Sequence, residues 1–161
     1  PILGIAISLT TIVAMFYGAK EFDKLLSVVN YGINRAVLIT TISVIFFFVL
    51  ASNILPIFSS NPLVIDIGVT YLKIIILVYP AVGISVICSR VCQALGQGMP
   101  LLITTITRVI ILTAPLSYYF YFTGRPIEWV WFSQVLAILI AATISFAWMR
   151  YYFRKFNIVR N

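Results

Sequence analysis

The sequence predicts an all-α, polytopic membrane protein built from five transmembrane helices, and three observations carry that expectation. Hydrophobic residues make up 62% of the 161-residue chain and charged residues 9%, whereas a soluble domain runs at about half apolar and a quarter charged. Mean hydropathy is +1.10. Apolar runs of roughly twenty residues, the length that crosses a bilayer core as a helix, recur between short polar or Pro/Gly-containing breaks. One small soluble core has no room for this much apolar surface, and disorder or a disulfide scaffold is excluded by the same composition.

The elements follow in order. Residues 1–19 carry no charge and read as a first span closing at Gly18. No basic segment precedes this run, so it does not read as a signal peptide. In 20–35, Phe22, Leu25, Leu26 and Val29 recur at helical spacing among Lys20, Glu21, Asp23 and Lys24. That pattern predicts an amphipathic turn lying at the membrane surface. The second span covers 36–58, with Pro56 and the Ser59–Pro62 stretch as its stop. The third covers 67–95, longer than a bilayer needs, with Pro80 and Gly83 as the cause of a kink or hinge. Gly96–Pro100 breaks the chain. The fourth span covers 101–122, interrupted by Pro115, and the fifth 128–149. A basic tail, 150–161, closes a single bundle.

The formal charge is +7. Its basic residues sit between apolar runs, so they mark topology rather than a nucleic-acid surface. With short connections, Lys20, Lys24, Arg35, Arg90, Arg150, Arg154, Lys155 and Arg160 share one side, and Arg125 and Lys73 the other. The excess of Lys and Arg makes the first side, with the C-terminus, cytoplasmic. Tyr118, Tyr119, Tyr121, Trp129 and Trp131 form an aromatic belt at the outer edge, and Trp148, Tyr151 and Tyr152 one at the inner edge. The chain starts at Pro1 without Met, and five spans leave its first end outside. A longer protein with one more span before Pro1 is therefore expected.

Ionisable groups inside spans are the default functional candidates, since each costs at least about 2.5–3.5 kcal/mol near the bilayer centre. Lys73 shares a helix face with Asp66 near the outer surface and reaches the headgroups by snorkelling. Arg108 lies eight residues past Pro100, about 12 Å deep on helical rise. It either snorkels to inner phosphates or serves a polar cavity. No His is present and no acid lies within a span, which removes a Ser–His protease, a histidine-ligated metal and an aspartyl dyad. Cys88 and Cys92, four apart, read as small apolar side chains packed between helices rather than metal ligands. We expect no enzyme activity, no metal site and no cofactor.

Three stretches resemble the second half of the multidrug and toxic compound extrusion (MATE) transporters. They are TIVAMFYGAKEFDK, YLKIIILVYPAVGISVICSRVCQALGQGMP and LLITTITRVIILTAPLSYYF. Together they cover the ends and centres of most spans, in the family's order and spacing. The resemblance implies twelve spans in two six-helix bundles, with this chain supplying the eighth to twelfth as part of the C-terminal lobe. It implies a multi-pass cell-membrane antiporter, coupled to proton or sodium entry, that exports amphipathic, often cationic organic compounds. It also implies a central cleft faced by the seventh, eighth and tenth spans. On this chain those are 1–18 and 67–95, which makes Thr11, Tyr79 and Ser85 cleft-lining candidates alongside Arg108. The tenth-like span holds no acid beyond Asp66, so the coupling ion is expected to bind outside this chain. The partners implied are the lipid bilayer, the N-terminal bundle and small organic substrates. Two other functions fit the same helix plan. A lipid-linked sugar flippase would require a more cationic cavity, and a non-transporting membrane subunit would require a complete protein starting near Pro1.

Overall fold

The computed structural model describes residues 2–156 and 158. Among them the chain is helical throughout, without strands. The helices are α1 (Ile2–Gly18), α2 (Phe22–Phe58), α3 (Pro62–Ile76), α4 (Tyr79–Ala94), α5 (Met99–Ile106), α6 (Ala114–Phe122) and α7 (Ile127–Lys155), with a π-helical stretch, Thr107–Thr113, joining α5 to α6. α2, the continuous Met99–Phe122 helix and α7 are each long and apolar enough to span a bilayer. α3 and α4 are long and apolar enough only when taken together, as a pair bent by 48°, and α1 is apolar but shorter, at 17 residues.

Several boundaries differ from the sequence expectation, each for a physical reason. The 20–35 segment is not a separate surface helix but the first third of α2, which runs for 37 residues, about 55 Å at helical rise. Its apolar face is buried in protein, since Leu25 and Val29 pack with Val13 of α1 and Val91 of α4. The same periodicity serves a membrane surface and a helix–helix seam. Pro56 lies inside α2 rather than ending it. The third traverse starts at Pro62, not near residue 67. Proline is favoured at a first helical position, and the Leu63 amide donates to the Asn61 side chain at 3.0 Å as a cap. The last helix continues past residue 149 to Lys155. Trp131 leaves the expected aromatic belt. It is buried and meets Tyr71 of α3 edge-on at 5.4 Å. Arg160 lies outside the described residues.

α4 is the centre of the bundle, packed against α1, α2, α5 and α7. Lipid tails are as apolar as leucine, so helices associate here through close van der Waals contact and small residues. The buried positions fit that rule: Gly32 and Ala36 on α2, Gly83, Cys88 and Cys92 on α4, and Ala137, Ala141 and Ser145 on α7. Both cysteines are free and buried, as expected of packing residues. A hydroxyl cluster ties three helices. Ser145 Oγ lies 3.0 Å from Ser85 Oγ and 3.3 Å from Ser89 Oγ, and it donates to Thr104 Oγ1 at 3.4 Å.

The α1–α2 turn closes with two reverse bonds. The Lys20 amide donates to the Tyr17 carbonyl at 3.1 Å and the Glu21 amide to Phe16 at 3.0 Å. This arrangement requires a left-handed residue after the helix, usually glycine. Here Lys20 occupies it, with φ +58°, a conformation that costs a residue with a Cβ roughly 1–2 kcal/mol.

Candidate functional site

A cleft of about 300 Å³ opens between α1, the middle of α2 and the α3–α4 break, lined by Ile2, Ile39, Thr40, Ser43, Phe47, Leu72, Ile76 and Tyr79. The break creates it. Pro80 stands in the first turn of α4, where its missing N–H costs that helix nothing. Its ring clashes with the carbonyl four residues back, so α3 cannot run straight into α4. The chain therefore turns at Leu77 and Val78, with the Val78 amide donating to Ile75 at 3.4 Å in a tighter turn. Ile76 and Tyr79, on either side of this turn, both reach the cleft.

The walls are apolar with three hydroxyls. Thr40 Oγ1 donates to the Ala36 carbonyl at 2.7 Å and lies 2.9 Å from that of Val37. Ser43 Oγ donates to Ile39 at 2.9 Å. Both hydroxyl protons are thus committed to their own helix, which leaves oxygen lone pairs as acceptors. Among the described residues the Tyr79 hydroxyl makes no hydrogen bond, and Tyr79 is 43% exposed. No charged side chain lines the cleft among the described residues. Lys73, one residue after the lining Leu72, has its ammonium 5.6 Å from the Phe48 ring. The chemistry offered is an apolar slot with hydroxyl acceptors and one aromatic face, suited to a flat amphipathic or cationic guest.

The structure distributes the sequence-predicted residues unevenly. Tyr79 lines the cleft. Thr11 is exposed on α1 outside the lining. Ser85 turns toward α7 and bonds Ser145. Arg108 sits in the π-helical stretch, on the traverse that packs against α4 and α7. Pro115 explains that stretch. Proline displaces the carbonyl four residues back, and the helix widens just before it, with the Ala114 amide donating to Val109 and Thr113 Oγ1 to the Arg108 carbonyl at 2.8 Å. Arg108 is half-buried and makes no ion pair among the described residues. Of the two hinge residues, Pro80 adjoins the break. Gly83 is buried against α2, where an added Cβ would stand 3.3 Å from Thr40 Cγ2 and 3.7 Å from the Ala36 carbonyl.

The α2 wall escaped sequence reasoning, which pointed to the first and third spans. A signal existed: Thr40, Ser43 and Phe47 follow i, i+3, i+7 spacing through a run that is otherwise apolar except for Thr41, so a polar–aromatic stripe shares one helix face.

Comparison with known proteins places this geometry. No curated protein matches the chain by sequence. Among solved structures, the inward-facing conformation of a multidrug resistance MATE family transporter of the MOP superfamily superposes with TM-score 0.90 at 24% identity, over 100% of this chain and 38% of that one. An outward-facing conformation of such a transporter gives 0.89 at 24% identity, over 99% and 36%. A MOP superfamily transporter from Pyrococcus furiosus Vc1 (DSM3638), described as having a binding pocket of reversed polarity that suggests a different function, gives 0.89 at 25% identity, over 98% and 36%. This chain thus spans a little over a third of the length of the structures it matches. The MatE family model matches residues 1–119, and with most of its length so matched the chain belongs to the MatE family.

Proposed function

We propose that this chain forms the C-terminal lobe of a cation-coupled antiporter that exports amphipathic organic compounds by alternating access. The uncharged, mainly apolar cleft with Tyr79 at the α3–α4 break supports this reading. The similar match to inward-facing and outward-facing structures agrees with a lobe that rocks as a unit against a second bundle. In this reading the substrate enters between the lobe and an N-terminal bundle of the same protein. Proton or sodium binds at a carboxylate outside this chain; among the described residues the cleft lining holds no acid. The end bearing Lys20, Lys24, Arg90, Arg150, Arg154 and Lys155 faces the cytoplasm of a cell membrane, and the C-terminus lies there too. A flippase for phosphate-linked sugars fits less well, since it requires cations at the cleft surface and none lines it among the described residues.

The test is dye efflux by the full-length protein with Tyr79 varied. A cation over an aromatic ring is worth about 0.5–2 kcal/mol. Tyr79→Leu should therefore lower efflux of a planar cationic dye by about twofold to thirtyfold, while Tyr79→Phe keeps most of it. Wild-type efflux by the leucine variant would remove Tyr79 from the substrate path.

A further inference from the structure

The α1–α2 turn and the end of α7 come together at the basic end of the bundle. The Tyr17 ring meets Phe156 edge-on at 5.8 Å and lies 6.4 Å from Phe22. Phe156 stacks on Tyr152 at 5.8 Å, and the Lys155 ammonium sits 6.0 Å from the Tyr152 ring. The four rings form a shelf at the end of the bundle where Lys20, Lys24, Arg154 and Lys155 are exposed. Two acids stand nearby in sequence, Glu21 and Asp23. Glu21 is taken by Lys24 at 2.9 Å. Lys20, Arg154 and Lys155 make no ion pair among the described residues. Aromatic rings below and unpaired cations above match the layering of a membrane interface, with apolar tails against rings and anionic headgroups against charge.

Lys20 adds an independent observation. It holds the left-handed position of the turn, φ +58°, where glycine fits without strain. Among the described residues no side-chain hydrogen bond or ion pair accounts for lysine there. The conformation does aim a cation outward from the tip of the turn, beside the shelf. Residues held in unfavourable backbone regions gather where a site needs them.

We propose that the shelf of Tyr17, Phe22, Tyr152 and Phe156, with Lys20 and Lys155, binds the headgroup phosphate of an acidic phospholipid in the leaflet at the basic end. Lys20 is its anchoring cation, and the strain at this residue is the consequence. Headgroup binding there clamps the α1–α2 turn to the end of α7. This assignment does not depend on which substrate the cleft carries.

The experiment uses the full-length protein in detergent micelles, titrated with phosphatidylglycerol or phosphatidylcholine and read by native mass spectrometry and melting temperature. Wild type should bind phosphatidylglycerol preferentially, with binding weakened by salt. Lys20→Gly and Lys20→Gln should each lower that preference about fivefold, the worth of one surface cation. The two variants separate charge from strain. Without anionic lipid, glycine should raise the melting temperature above wild type and glutamine should not. Unchanged phosphatidylglycerol preference in both variants would overturn the proposal. So would inorganic phosphate raising the melting temperature of wild type as much as the lipid does, since that would mark a free-anion site.

Discussion

Gly83→Val is expected to remove most of the folded protein from the membrane. Gly83 is buried on the α4 face that meets α2, and even a bare Cβ there would stand 3.3 Å from Thr40 Cγ2. Thr40 cannot swing aside. It is 1% exposed, and its hydroxyl is held by the Ala36 carbonyl at 2.7 Å. The Ala36 carbonyl, 3.7 Å from the same point, is already in van der Waals contact and leaves no slack on the α2 side. Overpacking of this kind costs about 1–3 kcal/mol, and the second and third carbons of valine carry the cost to the upper end or past it. The contact itself is tested by a pair of milder changes. Gly83→Ala should lower the melting temperature in detergent. Thr40→Ser removes the clashing methyl while keeping the hydroxyl, so the double variant should recover most of the loss. Purely additive effects would show that the two residues do not press on each other.

Pro80→Ala should have the second large effect, on transport rather than folding. Alanine restores the N–H that the Ile76 carbonyl would receive in a continuous helix, and it is about 3 kcal/mol more favourable than proline in a helix interior. The 48° bend then loses its cause. Straightening would carry Leu72 and Ile76 away from the α2 wall, and Tyr71 away from Trp131, which it now meets at 5.4 Å. α4 itself is anchored by Gly83 against α2 and by Ser85 and Ser89 against Ser145. The consequence should therefore fall on α3 and on the cleft. Efflux is expected to drop several-fold with normal amounts of protein in the membrane. Efflux at the wild-type rate would reduce the bend to a detail of architecture.

How far the sequence reaches is clearest in these two residues. Proline acts through its own covalent structure, so Pro80 announces a break from sequence alone, and Pro115 announces the disturbance that became the π-helical stretch. Glycine acts through what lies opposite. Gly83 reads as a weak point in its own helix until Thr40 and Ala36 are seen across the interface. The long apolar helices were legible because lipid demands long apolar runs. The fate of 20–35 was not, because amphipathic periodicity gives the direction of an apolar face but not whether lipid or another helix covers it. The same limit governs the site. Tyr79 was found through the family resemblance, and it lines the cleft. Ser85 was chosen as a hydroxyl in the same traverse, but it sits on the face that meets α7, beyond what spacing within one helix reveals. Thr40 and Ser43 lie in a span to which no cleft role was attached, and only the packing of α2 against the break brings them to Tyr79.

A cysteine at Ser43 tests most directly whether the cleft is the substrate path. Ser43 lines the cleft from α2, while the native Cys88 and Cys92 are buried and provide a silent background. In the full-length protein, Ser43→Cys should react with a small thiol reagent, and a transported dye at saturating concentration should slow that reaction at least several-fold. A cysteine at Thr11, exposed but outside the lining, should react at a rate indifferent to the dye. Protection at neither site, equal protection at both, or protection at Thr11 with none at Ser43, would contradict the cleft as the path.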